Sequence, residues 1–197
     1  MVNMIDEIER LWNTTSSDWT EKTLKDLAIA LRREVHRFPE PGWLTFRTTA
    51  LAAELLEKLG FVVHVGEEII AREHVIDAPD EAQIAAQHQL CRSFLLKNEG
   101  AEVEGKIYSE KQSEKACQYD KWKHRMGGLG GIVAIYDSHI PGQTVAYRFD
   151  MDALELAESD ACEHLPQKEG FASECEGRFH ACGHDGHMTA LLGLAYK

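Results

Sequence analysis

Five of eight consecutive residues near the end of the chain, His180–His187, have side chains that can bind a metal ion. They include one thiol, three imidazoles and one carboxylate. Thiolate and imidazole ligands together suit zinc and its first-row neighbours. Gly183 separates Cys182 from His184, and its lack of a Cβ permits a tight backbone between the two donors. The spacing therefore predicts a metal site with Cys182 and His184 as ligands.

An apolar helical pattern begins directly after this segment, at Met188. The segment is therefore predicted to lie on a loop before a helix, where the free N–H groups and the helix dipole favour a thiolate and other anions. A solvated histidine-rich turn with a small buried cysteine is the alternative interpretation. Five donors packed before a helix favour the metal site, and the roles of His180, Asp185 and His187 stay open.

Two aspartates, Asp150 and Asp152, follow a predicted strand at residues 144–149. Side chains alternate along a strand, so the two carboxylates are expected on the same side. Like charges at this spacing repel unless a positive group holds them, and a metal centre or a histidine bound to one would do so. A solvated acidic loop is the alternative. A structural zinc site built from Cys162, His164 and Cys175 with Cys182 is also possible but less favoured, because no Cys-x-x-Cys pair is present.

Hydrophobic periodicity predicts helices and strands upstream of these residues. A first helix is expected from an N-cap at Asp18 to about Arg37, and a second is expected between a cap at Thr45 and a C′ residue at Gly60. Strands are predicted at residues 61–65 and 132–136. Residues 72–127 are interpreted as a helical insertion, with a solvated, charged pair of helices at 82–96 and 110–123 in which Cys91 and Cys117 are structural. The glycines at 127–131 lack a phosphate-binding pattern and are predicted to allow close packing before a strand.

Composition limits the possible functions of the 197-residue chain. With 44% hydrophobic and 27% charged residues it is predicted to be globular. The net charge of −12 argues against nucleic acid or an anionic membrane as the main partner. There is no basic segment followed by an apolar one at the start, and no run long enough to span a bilayer. Five cysteines without a secretion signal predict reduced thiols and a cytoplasmic location.

Four motifs, at both ends of the chain, resemble the metallo-amidohydrolases of peptidase family M20, in the branch of hippurate and N-acyl amino acid hydrolases. The motifs are Leu31–Glu40, Thr45–Thr48, Arg148–Leu154 and His180–His187. Further features are similar to members that act on p-aminobenzoyl-glutamate, a folate breakdown product. These are Gly42-Trp43 followed by Phe46-Arg47-Thr48, the helical insertion, and Gly170–Ser173.

The resemblance implies an α/β fold, in which a mixed sheet with flanking helices forms a discontinuous catalytic domain. Residues 1–197 would be the N-terminal part of that domain, without its lid and dimerisation domain and without its remainder. Two divalent ions, Mn²⁺ or Zn²⁺, are expected in a full-length active site. By position, Cys182 and His184 match metal ligands, Asp150 and Asp152 match supporting residues, and the catalytic glutamate is expected beyond Lys197.

The implied activity of the full-length parent is metal-dependent hydrolysis of the amide bond of p-aminobenzoyl-glutamate. Another N-acyl amino acid is the alternative substrate. The 197-residue chain as it stands is expected to be inactive, and the alternative from a different functional class is an inactive metal-binding fragment. The expected partners are a small-molecule substrate and either a second copy or a related second subunit. The sequence does not choose between the metals or between the substrates.

Overall fold

The computed structural model describes residues 20–97 and 119–197. These residues form helices and a small antiparallel sheet, in agreement with the predicted α/β class. In chain order the elements are α1 (Glu21–Arg37), α2 (Phe46–Lys58), β1 (Val62–Val65), α3 (Glu81–Lys97), α4 (described at 119–126), β2 (Ile132–Ile135), α5 (Leu165–Glu169) and α6 (His184–Tyr196). Two 3₁₀ turns, Gly66–Glu68 and Arg72–His74, follow β1.

Helix α1 begins at Glu21, later than the predicted cap at Asp18, which lies outside the described residues. Its N-cap is Thr20, whose side-chain oxygen accepts a hydrogen bond from Thr23 N–H at 3.1 Å. This bond satisfies one of the free N–H groups of the first turn. The helix ends at Arg37, as predicted.

Helix α2 separates two buried apolar clusters. One of its faces packs with α1 and α6, and the buried residues of that cluster are Leu27, Ala30, Leu31, Val35, Ala52, Leu55, Met188 and Leu192. The opposite face packs with β1, α3 and α4. Gly60, with φ of +88°, follows the helix in the left-handed region, which confirms its prediction as the C′ residue. The packing of α1 against α6 brings the motif near residue 36 next to the candidate metal ligands.

The sheet of the described residues consists of β1 paired antiparallel with β2, with Val62 opposite Ile135 and Val65 opposite Ile132. Both predicted strands are confirmed, each slightly shorter than expected. The strand predicted at 144–149 is not formed, and this segment carries no ladder in the described structure. A strand needs a neighbour for its backbone groups, and no other described strand lies beside it.

The described parts of the two helices predicted within residues 72–127 are not solvated on all sides. Helix α3 matches the predicted helix at 82–96, and α4 covers the end of the helix predicted at 110–123, whose earlier residues lie outside the described part. Four of their apolar residues are buried against α2 and β1: Cys91, Tyr119, Trp122 and Met126. Phe94 is buried next to the ring of Phe38. The apolar positions are few but fall on one face, so a charged sequence still supplies part of the core. Cys91 is structural, as predicted, and Cys117 lies outside the described residues.

The glycine segment allows the close approach that its composition predicted. A Cβ on Gly130 would lie 2.5 Å from Thr45 Oγ1, and Gly130 N–H donates to Trp43 O at 2.6 Å. This contact joins the segment before β2 to the turn before α2. No helix of the described residues is long and apolar enough to cross a membrane.

Candidate metal site at the start of helix α6

Helix α6 presents two histidines, one turn apart, at its first turn. His184 is its first residue, and Gly183, with φ of +79°, is the N-cap. This confirms the predicted loop before a helix, with glycine at a position that requires positive φ. Residues three apart lie on the same helix face, and the rings of His184 and His187 stack with centroids 5.1 Å apart.

The two predicted aspartates each face one of these histidines. His184 Nδ1–H donates to the backbone oxygen of Asp152 at 2.8 Å, and Asp152 Oδ1 lies 3.1 Å from the same nitrogen. Asp150 N–H donates to His187 Nδ1 at 3.2 Å, and Asp150 Oδ2 is 4.0 Å from that nitrogen. The Asp-x-Asp segment therefore runs antiparallel to the first turn of α6.

Asp150, His184 and His187 each offer a ligand atom, and these atoms all lie within 4.8 Å of one another. We call these three residues the metal cluster. Two imidazoles and one carboxylate suit zinc and manganese, so the donor set fits a divalent metal. The hydrogen bond from His184 Nδ1–H to Asp152 leaves the Nε2 lone pair for an ion, the usual arrangement of a metal-binding histidine.

Of the two predicted ligands, His184 belongs to the metal cluster, whereas Cys182 is exposed and is not part of it. Its assignment as a ligand stays a prediction. Asp150, predicted to have a supporting role, contributes an oxygen to the cluster. The sequence analysis left His187 unassigned, although its spacing of three from His184 on a predicted helix could have indicated a shared face.

The alternative zinc site is not formed by the residues proposed for it. His164 Nε2 instead lies 2.9 Å from Glu158 Oε1. Burial raises the pKa of the Cys175 thiol to about 11, which disfavours a thiolate. Within residues 20–97 and 119–197, the metal cluster is the one group of three such side chains with metal-binding spacing.

A buried ionic network lies directly behind the cluster. Asp185, only 2% exposed, lies between His184 and Gly186 in the chain, and its Oδ2 is 3.0 Å from His36 Nδ1 and 3.2 Å from Arg32 Nε. His36 Nε2 lies 2.8 Å from Glu158 Oε1. Burial alone would lower the pKa of His36, but the hydrogen bonds to Asp185 and Glu158 outweigh it and raise that pKa. A protonated His36 ring donates from both nitrogens to these carboxylates.

His180 has no hydrogen-bond partner at either ring nitrogen, although it is only 5% exposed. Burial lowers its pKa to about 4, so the imidazole is neutral. Its ring centroid is 6.4 Å from that of His36. The ring therefore packs beside the network without joining it.

Glu40 connects the two N-terminal motifs to the aspartate segment. Its carboxylate accepts the N–H groups of Arg47 at 2.8 Å and Thr48 at 2.7 Å. Its backbone oxygen accepts Ala153 N–H at 2.8 Å. Thr45 occupies the predicted N-cap position of α2, but its side chain makes no capping bond. Glu40 supplies the capping instead, from a turn that sequence spacing does not connect to the helix.

The match to a known protein family covers the segment that contains the metal cluster. The sequence profile of peptidase family M20/M25/M40 matches residues 146–196, which include the Asp-x-Asp segment and the first turn of α6. The chain is 39% identical over 168 residues to a Haemophilus influenzae homolog of one subunit of p-aminobenzoyl-glutamate hydrolase, a match that covers 85% of the chain. Residues 146–196 therefore match peptidase family M20/M25/M40, and the chain is similar to this relative over most of its own length.

Other proteins similar to this chain have related names. It is 37% identical over 165 residues to the corresponding subunit of p-aminobenzoyl-glutamate hydrolase from Escherichia coli, covering 84% of the chain. It is also 37% identical over 166 residues to an indole-3-acetyl-aspartic acid hydrolase of Enterobacter agglomerans, again covering 84% of the chain. The matches cover 34%, 33% and 33% of these three proteins, so the chain spans about a third of their length. No solved structure matches it.

Proposed function

We propose that this chain carries the metal-binding segment of a metal-dependent amidohydrolase that cleaves the amide bond of p-aminobenzoyl-glutamate. The observation that carries the proposal is the metal cluster, in which Asp150, His184 and His187 offer ligand atoms within 4.8 Å of one another. The substrate is supported by the names of the relatives from Haemophilus influenzae and Escherichia coli.

The cluster residues would hold a divalent ion, with Cys182 as a further ligand predicted from the sequence. When bound, such a metal lowers the pKa of water and polarises a carbonyl group. Asp152 accepts a hydrogen bond from His184 Nδ1–H, which fixes the tautomer of the ring and increases the basicity of Nε2 as a metal ligand. Asp150 would contribute an oxygen. Its backbone N–H donates to the Nδ1 lone pair of His187 in the metal-free chain, so this bond would have to open for Nδ1 to bind an ion.

Several finer assignments belong to this proposal. We propose Zn²⁺ or Mn²⁺ as the metal, with two ions per full-length site, and a catalytic glutamate beyond Lys197. The domain interpretation is a helical insertion at 72–127 in a catalytic domain whose lid and remainder are not part of this chain. The cytoplasmic location also stays a prediction.

The name of the Enterobacter agglomerans relative supports a second candidate substrate, because that protein is named for the hydrolysis of an acyl aspartate. Both substrates contain an amide that joins an aryl or acyl group to an acidic amino acid. Two of the relatives are named as one subunit of a hydrolase, which supports a second, related chain as partner. A homodimer is the alternative.

Metal binding can be tested on the chain itself by titrating the metal-free protein with Zn²⁺ and with Mn²⁺ by calorimetry. We expect His184→Ala and His187→Ala to weaken binding at least tenfold. Cys182→Ser tests the ligand predicted outside the cluster, and a loss of similar size would support that prediction. His139→Ala is the control, because this exposed histidine also pairs with an aspartate, Asp137, at 3.3 Å. Equal affinity of all variants and wild type would contradict the proposal.

Activity requires a separate experiment, in which release of p-aminobenzoate is measured with the chain alone and with a protein of the length of the relatives. We expect hydrolysis only with the longer protein. Indole-3-acetyl-aspartate and hippurate serve as competing substrates. A chain that binds metal but gives no hydrolysis in either form would support the metal-binding fragment instead.

A further inference from the structure

The last turns of α1 belong to a motif that the proposed function leaves without a role. Two of its side chains, Arg32 and His36, reach the start of α6. Arg33 and Arg37 form ion pairs with Glu169 and Glu174 in residues 155–179, a segment that contains the short helix α5 and that we call the 155–179 loop. None of these four residues belongs to the metal cluster. Two of them, Arg32 and His36, contact Asp185, which lies next to His184 in the chain.

His36 is the one of these side chains with two buried partners. Its Nδ1–H donates to Asp185 at 3.0 Å and its Nε2–H donates to Glu158 at 2.8 Å. Asp185 is in the first turn of α6, next to His184 in the chain. Glu158 also accepts Ser173 N–H at 2.6 Å, so it is fixed within the 155–179 loop. A single imidazole ring therefore connects α1, α6 and that loop.

The first turn of α6 needs an anchor of this kind. A helix leaves its first N–H groups without helical partners, so its first turn frays unless side chains hold it. The N-cap of α6 is Gly183, which has no side chain to make a capping bond. Asp185 does part of this work by accepting Gly186 N–H at 2.8 Å. His36 in turn holds Asp185 in place.

Phe171 and Phe179 restrict the ring of His36 further. The centroid of the Phe171 ring lies 5.6 Å from that of His36 in an edge arrangement, and the centroid of Phe179 lies 6.5 Å away. These contacts limit rotation of the imidazole, so the position of Asp185 relative to α1 is fixed. Metal ligands must be held to within about 0.5 Å to bind well, and supporting shells provide that precision.

We propose that His36 is a positioning residue of the metal cluster, which acts through Asp185 to hold the first turn of α6 and therefore His184 and His187. The part of this inference that concerns metal affinity rests on the proposed function, whereas the part that concerns the histidine geometry does not. Arg32 is a weaker anchor, because its side chain is largely exposed and contacts Asp185 from outside.

The first measurement uses the metal-free chain, so that it is independent of metal binding. Imidazole ¹⁵N and ¹H chemical shifts report the tautomer and hydrogen bonding of each histidine. In wild type we expect His184 to be protonated at Nδ1, as its bond to Asp152 requires. In His36→Ala we expect shifted or broadened signals from His184 and His187. His36→Asn places an amide N–H close to the position of Nδ1, which faces Asp185, and is expected to restore most of the wild-type pattern.

His88→Ala is the matched control for a general loss of stability. His88 is also a buried histidine, but it packs on Phe46 and bonds Tyr119 in the second apolar cluster. We expect this variant to be less stable while the signals of His184 and His187 remain as in wild type. A change of equal size in both alanine variants would show that His36 has only a general structural role and would overturn the inference.

The second measurement is the zinc affinity of a double-mutant cycle. We expect His36→Ala and Asp185→Asn each to weaken Zn²⁺ binding about tenfold or more, the range found for residues that support metal ligands. If His36 acts through Asp185, the double variant loses little more than either single one. Additive losses would overturn the route through Asp185.

The two measurements separate the inference from the proposed function. If wild type binds zinc and the His36 variants change neither affinity nor the imidazole signals, the inference fails and the proposed function survives. If wild type binds no zinc but the signals of His184 and His187 change in His36→Ala, the proposed function fails and the positioning role survives.

Discussion

His184 Nδ1–H donates to Asp152, at 2.8 Å from the backbone oxygen and 3.1 Å from Oδ1. The imidazole is therefore held by the segment that also supplies Asp150, the carboxylate of the metal cluster. Because Nδ1 carries the proton, Nε2 is the nitrogen available to an ion. The Asp-x-Asp segment therefore fixes both the position and the tautomer of His184.

This relationship predicts the effect of changes at Asp152 on metal affinity. Asp152→Ala removes the carboxylate but leaves the backbone oxygen, so we expect about a tenfold loss of Zn²⁺ affinity and no loss of fold. Asp152→Asn retains an acceptor and is expected to lose less. Asp137→Ala is the control, because Asp137 pairs with the exposed His139 away from the cluster. Wild-type affinity in Asp152→Ala, measured by calorimetry, would contradict the prediction.

Glu40 is predicted to be among the most sensitive positions for stability. It is 2% exposed, and its carboxylate accepts Arg47 N–H and Thr48 N–H at the start of α2. Glu40→Ala would leave these two donors without their partner in a buried position, and we expect a loss of about 3 kcal/mol in the free energy of unfolding.

Urea denaturation checks this value, with Glu21→Ala as the control. Glu21 lies in the exposed first turn of α1, so its substitution should change the free energy of unfolding by less than about 0.5 kcal/mol. Similar values for the two variants would show that the bonds of Glu40 do not hold the start of α2.

The buried imidazole of His88 is expected to make the folded protein less stable in acid. Burial against Phe46 is the main reason that its pKa falls to about 4, from an ordinary value of 6.5. The unfolded chain therefore binds a proton at His88 at a higher pH than the folded chain does. The contribution of this residue to stability is complete above about pH 6.5 and decreases as the pH falls towards 4.

The measurement is the free energy of unfolding by urea at pH 7, 5.5 and 4.5 for wild type and His88→Gln. The carboxyl groups of Asp185 and Glu158 have lowered pKa values, so their contributions to the stability of the protein also decrease in acid. The relevant quantity is therefore the difference in the free energy of unfolding between wild type and His88→Gln. Wild type should lose more stability than His88→Gln over this range. His139→Gln, at an exposed position, should follow wild type, and parallel curves for all three proteins would disprove the role of His88.

The sequence predicted those elements that local signals specify. Helix α1 ends at Arg37, Gly60 is in the left-handed region after α2, and α6 begins at the predicted loop because a glycine and an apolar periodicity mark it. The burial of Trp122 and the capping of α2 by Glu40 were missed. Both depend on contacts between residues distant in the chain, which periodicity does not encode. The prediction of a strand at 144–149 was wrong for the same reason, because a strand forms only where a neighbouring strand pairs with it.

The site was predicted only partly. Its unusual residue types are visible in the sequence, whereas its geometry depends on residues that are distant in the chain. The Asp-x-Asp segment and His184 were found from composition and motif, and they do meet in the structure. The choice between Cys182 and His187 as a neighbour of His184 depends on the direction in which each side chain leaves the start of α6. Only the structure shows that His187, one turn further on, lies over Asp150.

The outer face of the sheet is predicted to bind a hydrophobic dye. Val62 pairs with Ile135 on this face, and Val133 lies two residues from Ile135 on the same side. The exposed fractions are 61%, 52% and 46% for Val62, Ile135 and Val133. A continuous exposed apolar patch of this kind binds dyes that report accessible hydrophobic surface, whereas a single exposed apolar side chain does not.

The measurement is the fluorescence of anilinonaphthalene sulfonate with the folded chain at pH 7. The double variant Val133→Thr and Ile135→Thr keeps β-branched side chains, so the strand should form while the fluorescence falls at least twofold. Ile76→Thr is the control, because Ile76 is 81% exposed but lies in a turn away from the sheet. It should leave the fluorescence unchanged. An equal decrease in the control would mean that the dye reports exposed side chains in general and that the sheet face is not a distinct surface.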